Sequence, residues 1–222
     1  MQQFATPAPV AVVLDVPAGP VRLIAADRTD TVVEVRPADP SRSRDVKAAE
    51  QVEVAFDGAV LRIVAPQPEK RFLGASGAVE VTVQLPAGSS VEARTAAGEL
   101  RGVGRLGDVV FEGAHGTVKL DETAGARLSL MAGDIAVGRL GGPAEIGTQK
   151  GDITVTEASR GEVELRTEHG RISIGAARGT SATLDAGTGY GRIHNALRNQ
   201  GEAPELRIRA TTSYGDISAR TV

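Results

Sequence analysis

A chain of 222 residues with a net charge of −3 can bury a real core, as one elongated domain or one and a half. Aromatics make up 3% and Trp is absent, so the core must be built from Val, Ile, Leu and Ala; the absence of Cys excludes disulfides, thiolate metal sites and cysteine nucleophiles. The charge is spread evenly, and no basic block, aromatic-interleaved patch or apolar run of roughly 18 residues occurs, which argues against nucleic-acid binding and direct membrane insertion.

The opening residues, Met1-Gln-Gln-Phe-Ala-Thr-Pro, contain no base before Val10, and the apolar stretch Val10–Val16 is broken by Asp15 and Pro17. No secretory signal is read there, and a cytoplasmic chain is expected. The 27 Gly and 11 Pro punctuate the sequence too often for long helices and suit short strands joined by turns.

Val12–Val16 and Val21–Ala25 are predicted strands flanking Pro17-Ala18-Gly19, and Val32–Val35 follows a turn at Asp27–Asp30. The polar stretch Pro40–Gln51 reads as a loop. Val52–Phe56 and Val60–Val64 flank Asp57-Gly58, a strong hairpin signal. Val79–Leu85 alternates cleanly and ends in Pro86-Ala87-Gly88, an echo of Val16–Gly19 that suggests common ancestry for the two halves. Residues 1–90 therefore read as an antiparallel β region, out of register with the remainder and capping it.

From residue 91 one phrase recurs, with glycines at Gly98, Gly116, Gly133, Gly151, Gly170, Gly191 and Gly215, spaced 18, 17, 18, 19, 21 and 24 residues apart. Two residues after each stands a large aliphatic: Leu100, Val118, Ile135, Ile153, Ile172, Ile193 and Ile217. Positions seven and five before it are also apolar throughout, as in Val91 and Ala93 or Val109 and Phe111. Strand side chains alternate faces, so −7 and −5 share a face and +2 opens a second strand. Such a unit buries its apolar row only when copies stack. The chain is predicted to be all-β, with residues 91–222 forming a β-solenoid (β-helix) of about seven short coils, a rod of roughly 30 Å at ~4.8 Å per strand. A meander of antiparallel hairpins is the competing geometry. The stretch 196–204 would be a surface loop, and irregular spacing near the C-terminus would mark a cap.

LPAGSSVEARTAAGELRGVG (Leu85–Gly104), followed by serial Gly-Asp-aliphatic phrases, resembles the bacterial putative-adhesin family of β-strand-repeat domains, related to toastrack domains. The resemblance spans roughly residues 10–220. It implies a β-helical fold without enzymatic activity, and a role in envelope adhesion or stress sensing. The membrane segment that many members carry is not found in this chain, which favours an intracellular role.

Gly102-Val-Gly104-Arg-Leu-Gly107 matches a dinucleotide-binding pattern, but a predicted strand follows it rather than a helix, and Val103–Gly107 recurs verbatim as Val137–Gly141. It reads as a repeated turn. Asp134 and Asp152, each just after a turn glycine, could pair as carboxylates, but Asp also suits turns by bonding backbone amides. Arg171 in the next coil offers Asp152 a charge partner. His115 and His169 precede glycines of separate coils and His194 faces solvent, so a three-histidine metal site is not assembled. Tyr190 and Tyr214 could stack as a small aromatic patch, serving either as a cap or as a partner contact. Thr95, Thr148, Thr167, Thr188 and Thr212 form a column that would satisfy turn backbone groups.

No catalytic, cofactor-binding or metal-ligating residue is assigned. The expected function is a non-catalytic scaffold that binds a protein or polymer along one face, or stacks end to end as a homo-oligomer through open terminal coils, where a charge at Ile217 should block growth. An apolar pocket between the N-terminal region and the first coils would instead favour a small-ligand or stress sensor. A carboxylate cleft would favour a carbohydrate-active enzyme.

Overall fold

The computed structural model describes residues 1–66, 77–199 and 203–222. In chain order the elements are β1 (Gln2–Ala5), β2 (Ala11–Ala18), β3 (Val21–Ala26), β4 (Asp30–Pro37), α1 (Ser43–Gln51), β5 (Glu53–Phe56), β6 (Val60–Val64) and β7 (Val79–Pro86). The long extended stretch β8 (Ser90–Ala132) then winds through successive coils. It is followed by β9 (Ile135–Leu140), β10 (Ala144–Lys150), β11 (Ile153–Ala158), β12 (Gly161–His169), β13 (Ile172–Ala176), β14 (Ala182–Tyr190), β15 (Ile193–Ala196), β16 (Leu206–Tyr214) and β17 (Ile217–Thr221).

The chain is a β-solenoid. Each coil lays one strand in each of two facing stacks, with parallel pairing from coil to coil: Ala144 opposite Ala126 and Val163, Ile153 opposite Ile135 and Ile172. This pairing rules out the hairpin meander. In every coil but that of Gly191, residues −7, −5 and +2 from the turn glycine point between the stacks and form one continuous core, in which Val109, Phe111, Val163, Leu165 and Ile172 are buried. Intervening residues face outward and carry cross-coil ion pairs, such as Arg101–Asp121 at 2.7 Å and Arg139–Glu122 at 2.6 Å. Exposed pairs of this kind contribute about 0–1 kcal/mol each.

The register expected to break at residue 90 continues past it. β2 runs parallel to β8 with Val12 opposite Val91 and Ala18 opposite Ala97, and β3 places Val21 opposite Leu100. Gly19 is thus another turn glycine, with Val12 seven residues before it and Val21 two after. The periodicity is hidden because the chain leaves the stack after β3 and returns only at β8. During that excursion β6 pairs with the outer side of β2 and β7 with the outer side of β3, adding a further rung. Antiparallel strands lie at this end, β5 on β6, β4 on β7 and β1 on β4. The Asp57-Gly58 hairpin joins β5 to β6 as expected.

The stretch expected as a loop at 40–51 contains helix α1. Its placement is tertiary: Asp45, buried, accepts the Ala78 N–H at 3.0 Å, while Ala48 and Ala49 pack on the core. No side-chain cap marks its start.

The opposite end also departs from chain order. β12 pairs with β16, not β14, and β16 then pairs with β14; likewise β13 pairs with β17 and β17 with β15. The last two strands therefore enter one rung inside the end, and β14–β15 form the terminal coil. The glycine spacing of 21 and then 24 reflects this, since the chain must skip a rung after β13 and return after β15. Residues 200–202 of the loop expected at 196–204 lie outside the described residues.

Candidate functional site

The turn edge is held by three ladders built from the repeat itself. The glycine carbonyls stack tightly: a Cβ on Gly151, at φ +148°, would lie 2.1 Å from the Gly133 oxygen. Only glycine tolerates both that conformation and that approach. The threonine column donates to the same carbonyls: Thr148 to Gly133 at 3.3 Å, Thr167 to Gly151 at 3.1 Å, Thr212 to Gly170 at 3.1 Å and Thr188 to Gly215 at 3.0 Å. The aspartates cap the neighbouring coil. Asp134 Oδ1 accepts the Asp152 N–H at 2.8 Å, Asp152 Oδ1 accepts the Arg171 N–H at 2.7 Å and Asp216 Oδ1 accepts the Arg192 N–H at 2.8 Å.

Asp134 and Asp152 are therefore brought together as backbone caps, and no Asp152–Arg171 ion pair forms among the described residues. The Gly102–Gly107 segment is extended strand within β8, with no helix behind it. The histidines are dispersed: His115 is exposed on β8, His194 is exposed on β15, and His169 stacks on Tyr214. Among the described residues no cluster of three or more His, Asp or Glu is placed to hold a metal.

The aromatic residues extend one another across three coils. His169 and Tyr214 lie 4.9 Å apart and Tyr214 and Tyr190 5.5 Å apart, with 8° between planes in each pair. Tyr214 is covered on both faces. Tyr190, at the top of the stack, is 74% exposed.

Tyr190 belongs to the end coil, which is where the two ends of the molecule differ. Among the described residues β14 pairs only with β16 and β15 only with β17, leaving one edge of each free. The residue two after the turn glycine is at most 1% exposed in every other coil, yet Ile193 is 47% exposed. Leu184 and Ala186 on β14 are only partly buried. The free edge is blocked at one point. Asn199 accepts the Ala182 N–H at 2.9 Å and donates to the Ala182 carbonyl at 2.7 Å, standing in for a strand. Neither this end coil nor Asn199 was singled out from the sequence, because the repeat marks Ile193 as a core residue and chain order makes β16–β17 the last coil. The shift in glycine spacing to 21 and 24 was the available signal.

A second feature lies at the other end. A cleft of about 820 Å³ opens between α1 and the outward face of the first coils, floored by Val16, Ala48, Pro66, Ala96, Ala114 and Met131, with Arg44 and Lys47 among its lining. Met131 is 51% exposed. Three carboxyls of the same region are held below their ordinary range by hydrogen bonds. Asp57 is held by the Val60 and Ala59 N–H groups, Asp30 by Arg28 and Asp39 by the Ser41 hydroxyl and N–H.

No helix among the described residues is long and apolar enough to cross a membrane. The model of the family described as Toastrack DUF4097 matches residues 11–221. Among solved structures, the chain is similar to one from Bacteroides fragilis named a putative adhesin, at 14% identity and TM-score 0.57, covering 98% of this chain and 95% of that one. It also aligns with one from Parabacteroides distasonis named a putative lipid binding protein (12% identity, TM-score 0.47, 98% and 95% covered). A third, from Clostridium sporogenes, is named a putative cell adhesion protein (11% identity, TM-score 0.38, 100% and 98% covered). No protein of curated function matches.

Proposed function

We propose that this chain, which belongs to the Toastrack DUF4097 family, is a non-catalytic interaction module that docks a polypeptide on the free edge of its end coil. The observation that supports this is the contrast at the +2 column, where Ile193 is 47% exposed and Ile172 and Ile217 are fully buried. An apolar row that every other coil covers, flanked by strand edges that beyond Ala182 have no strand partner among the described residues, is the arrangement that accepts an added strand. The similarity to a structure named a putative adhesin is consistent with a role exercised by contact.

A synthetic peptide copying Leu206–Thr221 tests the reading, since that segment already pairs with β14 and β15 inside the fold. Calorimetry should detect its binding to the intact chain, and Ile193→Asp should weaken it at least about tenfold. Heat release absent in both, with no slowing of amide exchange along β14, would remove this reading.

A second reading rests on the α1 cleft, whose floor is largely apolar and whose volume suits a small ligand. An apolar fluorescent dye should bind there, and Met131→Asp should abolish the signal; equal fluorescence from both proteins would remove that reading.

A further inference from the structure

We infer that the occupant of the end coil is a second copy of this chain, docked end coil to end coil as a closed two-fold dimer. The inference rests on the docking reading above and names its partner. The first ground is that what covers each apolar row elsewhere in the molecule is another coil of the same residue columns, Val163 and Leu165 beneath Ile208 and Ala210, for example. The second is that the two ends differ: the other end finishes in the antiparallel strands β5, β4 and β1, of which β5 and β1 are four residues long and do not carry the columns of the repeat. Head-to-tail growth would set the end coil against short antiparallel strands of a different pattern, whereas two end coils present the same columns to each other, so association by like ends stops at two copies.

The free edge is self-complementary in a definite register. Asn199 occupies the N–H and C=O of Ala182, and strand alternation turns those of Leu184, Ala186 and Thr188 to the same side. A two-fold axis at Ala186 sets Leu184 against Thr188 of the second copy, which pairs these groups reciprocally. It also brings Ile193, two residues past Gly191, to the level of Leu184 of the second copy, seven residues before it, so the two partly exposed apolar residues cover each other.

Gly187 fits the same register. Among the described residues a Cβ on it would meet nothing within 4 Å, and its φ is not left-handed, so no described neighbour demands glycine. In the dimer it lies opposite Asp185, leaving room for that carboxylate and keeping the two aspartates apart. Glycine in a strand interior commonly marks the approach of another backbone.

An end face one strand long, about 30 Å, and roughly 10–15 Å across covers on the order of 400 Å² per copy. That is about half the usual share of a specific interface, so the dimer is weak and reversible. Sedimentation velocity of the full chain over an about hundredfold concentration range should show a monomer passing to a dimer and no further. Ile193→Asp and Ile193→Lys should each weaken the dimer at least about tenfold, with melting curves unchanged because Ile193 is already half exposed. A monomer throughout, growth beyond two copies, or a dimer indifferent to both variants would overturn the inference. Binding of the Leu206–Thr221 peptide separates the two ideas: a monomer that still binds it loses the dimer and keeps the docking reading, and a monomer that does not loses both.

Discussion

His169 and Tyr214 stack with parallel rings, centroids 4.9 Å apart, although Tyr190 stands between them in sequence and lies on the far face of Tyr214 in space. The final strands β16 and β17 therefore sit between two earlier coils, bonded on both edges.

Truncation after Pro204 tests that insertion. β14 and β15 have no neighbours among the described residues other than β16 and β17 in their respective stacks, so removing these should strip both of protection. Hydrogen exchange on the truncated chain should show β14 and β15 amides exchanging rapidly while β10 and β11 stay slow. Retained protection in β14 would mean that it closes directly onto β12.

Gly151→Ala should destabilise the chain by about 2 kcal/mol or more, because the new Cβ combines a left-handed φ of +148° with a 2.1 Å approach to the Gly133 oxygen. Gly187→Ala meets no atom of the described residues within 4 Å and should gain roughly 0.5 kcal/mol from the stiffer unfolded chain. Urea melts of the two proteins should move in opposite directions.

Asp152→Ala should lose about 1 kcal/mol, since the Arg171 N–H then lacks its 2.7 Å acceptor, while Asp152→Asn keeps an acceptor and most of the stability. Equal losses from the two substitutions would assign the effect to charge rather than to capping.

Ile217→Asp should unfold or severely destabilise the protein, by about 4 kcal/mol or more, because it places a carboxylate in a site with 0% exposure. Under the dimer inferred above, the block to association expected at this position from chain order is expected at Ile193 instead. Ile193→Asp should leave thermal stability within about 0.5 kcal/mol of the parent.

Below pH 4 the N-terminal hairpin should loosen. Hydrogen bonds from Val60 and Ala59 hold the Asp57 carboxyl below its ordinary 3.8, so the stabilisation is present above that value and is lost as pH falls through the lowered one. Exchange of the Val60 amide should accelerate over that range, and Asp57→Asn should remove the pH dependence.

Much of the architecture was legible in the sequence. The columns at −7, −5 and +2 announced a stacked core, and the threonine and aspartate columns were assigned to turn backbone groups, as Thr167 on Gly151 and Asp134 on Asp152 now show. The coil at Gly19 escaped notice because the excursion from β4 to β7 separates it from Gly98, and periodicity is a statement about neighbours in sequence. Helix α1 escaped for a different reason. Its anchor is Asp45 on Ala78, a bond between distant parts of the chain that no local pattern encodes.

By itself, the sequence determined which side chains face inward, where the chain turns and that coils of this length must stack, since strand alternation and glycine's freedom are local properties. Only the tertiary structure decided the order of the stack. Any two coils with matching apolar columns can pair, so the repeat cannot say which lies next to which. The tight connection after β13 and the return after β15 settle that the coil of Ile193, rather than that of Ile217, is left facing solvent.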